Sequence, residues 1–176
     1  MPDLRCYFVT GAADSPAEVV RIAAAAARGG AGVVQVRSKP ITARDLYLLG
    51  KEVARAVAAA NPQTQVLIDD RVDVALALRH DGEPVHGVHI GQDDLPVAQA
   101  RAVLGPEAII GLTTGTRELV ENANQVADLI DYIGCGPFRA TPTKDSGRAP
   151  LGLEAYPELA ELSRVCLLYT SPSPRD

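Results

Sequence analysis

The sequence has no tryptophan, two phenylalanines and five tyrosines, so aromatic residues make up only 4% of its 176 positions. A core this poor in rings is filled by branched aliphatic side chains, the filling that the interior of a βα barrel prefers. Cysteine is scarce as well. Cys6, Cys135 and Cys166 are odd in number and far apart, a spacing that builds neither a disulfide framework nor a zinc site. Cys6 and Cys135 lie in apolar runs and are expected to be buried as small hydrophobes, in a reducing compartment. Positive charge is not in excess: 17 Lys+Arg against 22 Asp+Glu leaves a net charge of −5, which argues against a nucleic-acid partner. No apolar run approaches the roughly 18 residues that a membrane span needs. The opening Met1-Pro2-Asp3-Leu4-Arg5 has no charged-then-apolar leader, so a cytoplasmic location is expected. The three histidines make no metal set. His80 and His86 flank a polar turn and read as solvated, whereas His89 lies within a strand and reads as a buried, hydrogen-bonded ring. No Ser-His-Asp or Cys-His arrangement is defensible.

What is present is ordinary for one folded domain: 47% apolar and 22% charged residues. Short apolar runs rich in Val and Ile occupy 6–10, 32–36, 65–68, 87–90, 108–111 and 131–134. Continuous apolarity is how a strand buried on both faces reads. Amphipathic stretches separate these runs, and their start signals are clear. Ser15-Pro16-Ala17-Glu18 predicts a capping box with Pro at the first helical position. Thr42 predicts a cap for a helix whose Leu46, Leu49, Val53 and Val57 share one face. Thr116 precedes a helix with Leu119, Ala123 and Val126 on one side, and Asp94 and Pro96 open a helix through Leu104. Six β-α alternations argue for parallel βαβ units. A (β/α)8 barrel and an open doubly wound sheet both fit. The first turn, Val9-Thr10-Gly11-Ala12-Ala13, lacks the Gly-x-Gly-x-x-Gly fingerprint of a dinucleotide site, and the Ala-rich stretch 22–27 suits close packing on a barrel wall.

Polar residues collect where these strands end, which in a βα barrel is the active-site face. Gln35, Arg37 and Lys39 alternate and so share one side of an extended segment. Two cations and an amide there suit a polyanion such as phosphate; the alternative is a solvated strand end. The third strand ends in Asp69-Asp70-Arg71 and the fourth in His89-Ile90-Gly91-Gln92-Asp93-Asp94. Carboxylates on neighbouring strand ends converge on a hard cation such as Mg²⁺, or Asp70 and Asp94 cap the following helices. Thr113, Thr114 and Gly115 contact an anion or turn the chain. Beyond Cys135, a long polar segment carries Thr141, Thr143 and Lys144, which either close over a phosphate or form a surface loop.

Taken in order, Tyr7-Phe8-Val9-Thr10, Gln35-Val36-Arg37-Ser38-Lys39, Ile68-Asp69-Asp70-Arg71-Val72-Asp73, Gly87-Val88-His89-Ile90-Gly91-Gln92-Asp93-Asp94-Leu95-Pro96, and Gly134-Cys135-Gly136-Pro137 through Thr141-Pro142-Thr143-Lys144 resemble the thiamine phosphate synthase family over about residues 4 to 163. The resemblance implies a (β/α)8 TIM barrel of the α/β class. It implies a Mg²⁺-dependent transferase that joins 4-amino-2-methyl-5-hydroxymethylpyrimidine diphosphate to a thiazole phosphate and releases diphosphate. Carried over by motif, Asp70 and Asp94 are magnesium ligands. Gln35, Arg37, Lys39 and Lys144 hold the diphosphate and the pyrimidine, Thr113 stands near the leaving group, and Thr141 and Thr143 contact the thiazole phosphate. Asp69 departs from the family's usual Asn. An ionised Asp only accepts hydrogen bonds, and its charge opposes a neighbouring diphosphate. No nucleophile or strong base is visible, and none is needed if diphosphate leaves first. The partners are then small-molecule substrates, with no nucleic acid and no membrane. A thiazole tautomerase-like isomerase and a non-catalytic phosphate-ligand-binding protein are the competing readings.

A (β/α)8 barrel usually takes ~250 residues, so the barrel is expected to be incomplete: six clear βα units within residues 1–165, with strands seven and eight missing or replaced. Residues 166–176 are expected to be a non-native tail, and the chain itself to be poorly soluble or inactive.

Overall fold

The computed structural model describes residues 2–11, 15–136, 138 and 150–169. Seven strands alternate with six α-helices. The strands are β1 (Tyr7–Val9), β2 (Val33–Val36), β3 (Gln65–Asp69), β4 (Gly87–Ile90), β5 (Ile109–Thr114), β6 (Tyr132–Cys135) and β7 (Cys166–Tyr169). The helices are α1 (Pro16–Arg28), α2 (Ala43–Ala60), α3 (Val72–His80), α4 (Val97–Leu104), α5 (Arg117–Asn124) and α6 (Ala155–Leu162). Every strand pair is parallel and the sheet order is β1-β2-β3-β4-β5-β6-β7. A doubly wound sheet reverses its order at a switch point; this one never does, so the open alternative is excluded.

The sheet is curled. In a flat sheet β1 and β6 would stand roughly 24 Å apart, yet the hydroxyls of Tyr7 and Tyr132 are 2.7 Å apart. The concave side holds a small apolar floor of Val33, Leu67, Ile109 and Tyr132, with Leu4, Tyr7 and Leu168 packed on it. The larger core lies between the convex side and the helices and includes Val34, Val36, Val53, Ile68, Leu78, Ile90, Ile110 and Ile133. The architecture is thus a seven-stranded curled half-barrel. Of the two alternatives for the seventh strand, missing or replaced, the slot is occupied: Cys166–Tyr169 pairs with β6 from Tyr132↔Cys166 to Cys135↔Tyr169.

The helix starts follow the capping logic. Thr42 accepts from the Asp45 amide at 3.1 Å and Thr116 from Leu119 at 3.2 Å. Ser15 accepts from Glu18 at 3.3 Å, but the Glu18 carboxylate turns to Arg21 instead of reaching back, so only half of the capping box forms. Leu46, Leu49, Val53 and Val57 are buried on α2. On α5 the buried pair is Val120 and Ala123; Leu119 and Val126 flank it half-buried.

Two residues depart from expectation. Cys6 is exposed, because it precedes β1, a half-buried strand with one neighbour in the described sheet. His86 is half-buried and belongs to the ladder rather than to a turn: its amide donates to Val66 O, its carbonyl accepts from Ile109, and Nδ1 accepts from the Val66 amide at 3.0 Å. Burial accordingly pushes its pKa down, with Arg79 adding to the shift. Among the described residues no helix is long and apolar enough to cross a membrane.

Candidate active site at the strand C-termini

Successive strands deliver the polar residues to one rim. Gln35 is the third residue of β2 and is buried, which overturns the solvated-end reading for that position. Its Nε2 donates to Asp69 Oδ1 at 2.7 Å. Beyond β2, Arg37 Nε and Lys39 Nζ each lie 3.5 Å from Asp69 Oδ2. The 7% exposed Asp69 is therefore the hub on which an amide and two cations converge. A buried carboxylate requires such company. The backbone of Arg37 is itself fixed by Thr10, whose Oγ1 donates to Arg37 O and accepts from Arg37 N, both at 2.8 Å. The sequence reading missed Thr10. A buried hydroxyl at the end of an apolar run was the available signal.

Neither Asp70 nor Asp94 caps a helix. The N-cap of α3 is Arg71 and that of α4 is Pro96, and neither helix start receives a side-chain cap bond. Asp70 adopts φ +58°, while the Arg71 amide bonds back to Asp69 O at 2.7 Å and the Asp70 amide donates to His89 O at 2.7 Å. A left-handed residue inside so tight a turn stores strain of order 1–3 kcal/mol, the kind that functional sites hold. The Asp70 carboxylate accepts from Lys39 Nζ. Asp94 Oδ2 accepts from the Gly91 amide at 2.6 Å.

Asp70 and Asp94 line one cavity of about 550 Å³ with Ser38, Lys39, Asp69 and Arg71. Burial raises the pKa of Asp94, and the Asp70 carboxylate raises it further, against the opposing pull of the Gly91 amide and Lys39. Burial works against the Lys39 ammonium, but Asp70 and Asp69 outweigh it and hold its pKa above the ordinary lysine range. Two carboxylates brought this close together suit a hard divalent cation held by one or two carboxylates. Among the described residues no group of three or more His, Cys, Asp or Glu side chains is arranged to hold a metal ion.

Thr113 sits at the same rim on β5 but does not line this cavity. Its Oγ1 is 2.8 Å from His89 Nε2, and its carbonyl accepts from Gln92 Nε2 at 2.5 Å. Thr141, Thr143 and Lys144 lie outside the described residues.

The family model described as thiamine monophosphate synthase matches residues 6–169. A thiamine-phosphate synthase of Corynebacterium efficiens is 67% identical over 164 residues, covering 93% of this chain and 74% of that protein. Its counterpart from Corynebacterium jeikeium is 69% identical over 163 residues, 93% of this chain and 73% of the other. Among solved structures, a thiamine phosphate pyrophosphorylase from Pyrococcus furiosus superposes with a TM-score of 0.76 at 25% identity, over 97% of this chain and 76% of that one.

Proposed function

Because the chain belongs to the thiamine monophosphate synthase family, we propose that its strand-end cavity is where a pyrimidine diphosphate releases diphosphate and its pyrimidine group is joined to the nitrogen of a thiazole phosphate. The chain is a transferase of thiamine biosynthesis acting on small-molecule substrates. The observation that carries the site assignment is the convergence of Gln35, Arg37 and Lys39 on Asp69 beside the Asp70–Asp94 pair.

Asp70 and Asp94 would hold Mg²⁺. Bound there, the ion would neutralise charge building on the departing diphosphate. Arg37 and Lys39 supply positive charge from the chain itself, and Lys144 is assigned the same task from its segment. Preorganised cations aimed at developing charge are the largest usual source of rate. Gln35 fixes the hub and presents its carbonyl to a pyrimidine donor. Thr113 donates to a leaving oxygen, and Thr141 and Thr143 hold the thiazole phosphate. With diphosphate departing first, the thiazole nitrogen attacks a pyrimidine cation, and no side-chain base is required. The barrel is assigned to residues 1–165, with 166–176 as a tail whose first four residues extend the sheet. A cytoplasmic location suits this chemistry.

Calorimetry with the pyrimidine diphosphate, with and without Mg²⁺, tests the site. Binding that depends on Mg²⁺ and is lost in Asp94→Ala is expected. Equal binding in EDTA, unchanged in Asp94→Ala, would overturn the assignment.

A further inference from the structure

A chain of hydrogen bonds crosses the concave face below the cations. Tyr7 Oη and Tyr132 Oη are 2.7 Å apart, Tyr132 Oη and His89 Nδ1 2.9 Å, and His89 Nε2 and Thr113 Oγ1 2.8 Å. It draws one residue from each of β1, β6, β4 and β5. The slot for the rings is built into the backbone. A Cβ on Gly111 would stand 2.1 Å from Tyr132 Cζ and 2.6 Å from His89 Nδ1, and one on Gly134 would stand 3.2 Å from His89 Cε1. The imidazole also stacks on Tyr132, with centroids 5.6 Å apart and planes at 28°.

Proton counting gives this chain a direction. Burial holds both phenols protonated, so each hydroxyl has one proton to donate, and a neutral imidazole has one N–H. If Tyr7 donates to Tyr132 and Tyr132 to Nδ1, then Nε2–H donates to Thr113, whose own proton is free to point outward. In the reverse order Thr113 donates inward and turns only lone pairs to the rim. An anion at the rim selects the first order.

We propose that His89 is a positioning residue, held by Tyr132 as the neutral Nε2–H tautomer, which aims the Thr113 hydroxyl proton at a diphosphate oxygen. This rests on the site reading above, since it needs an anion beside Thr113.

Nitrogen-15 NMR of the histidine-labelled full chain, with inorganic diphosphate and MgCl₂ as the probe, tests it. The neutral Nε2–H pattern is expected for His89 with diphosphate bound. Tyr132→Phe, which keeps the ring, should lose that pattern and weaken diphosphate binding about fivefold. In a Thr113→Ala background it should weaken binding no further. His89→Gln, whose amide can still donate, should stay within about twofold of the parent, whereas His89→Leu should lose about tenfold. An Nδ1–H or doubly protonated ring in the complex would overturn the proposal, as would additive losses from Tyr132→Phe and Thr113→Ala. Should Thr113→Ala bind as the parent does while Asp94→Ala fails, the relay falls and the site reading stands. Should both bind as the parent does, both fall.

Discussion

At the scale of single residues, charge placement governs the site. The Asp69 carboxylate occupies both cations that a diphosphate would want. Asp69→Asn keeps an acceptor for Gln35 and removes the competing charge, so pyrimidine diphosphate binding should tighten about threefold to tenfold. Calorimetry at fixed Mg²⁺ measures this directly. Asp94 carries a pKa raised by burial and by Asp70, so its protonated form is favoured in the folded state. Its sign is the reverse of a salt-bridged carboxylate: below the ordinary aspartate range it costs nothing, and as pH rises through the raised pKa its ionisation removes stability. Asp94→Asn should therefore raise Tm by about 1–2 °C at neutral pH without metal, a small figure because solvent partly screens the group. The gain should vanish near pH 3 and shrink with added Mg²⁺, both readable by differential scanning fluorimetry. The sequence singles out Gln35, Arg37, Lys39, Asp70 and Asp94 because each falls near the end of an apolar run or within four residues past it. It was silent on Tyr132 and Thr10, whose roles depend on partners 43 and 27 residues away and on a curl that no local pattern records.

Elements were legible where burial was continuous. The strand at Gly87–Ile90 matches its expected bounds. Others shift by a residue or more, as β5 does by running on to Thr114, since a polar strand end cannot be told from the start of a loop. The opposite, N-terminal rim shows what holds these elements in place. Arg101 on α4 donates to the carbonyls of Gly105, Pro106, Ala108 and Leu129 and to Asp131 Oδ2, while Asp131 also accepts from the Ile110 amide at 2.8 Å. Removing that guanidinium strands several part-buried acceptors. Arg101→Ala is expected to cost about 2–3 kcal/mol in urea unfolding with no loss of Mg²⁺-dependent ligand binding in the folded fraction. Gly111→Ala should cost at least as much, because the new methyl has nowhere to go except into the Tyr132 ring.

For the molecule as a whole, the sequential parallel order answers the choice that composition left open between barrel and open sheet. The described sheet has β1 and β7 as its outer strands, and each presents backbone groups without a strand partner there. Such edges pair with other chains. The chain should associate with rising concentration, seen as growing light scattering. The contact that curls the sheet also sets a clock. Tyr7 and Tyr132 are separated by 125 positions, and a ribosome adds about 5–20 residues per second. The first tyrosine to emerge therefore waits roughly 6 to 25 s for its partner. For that interval the concave floor lacks Tyr132, one of its own members, and Tyr7 has no partner for its hydroxyl across the curl.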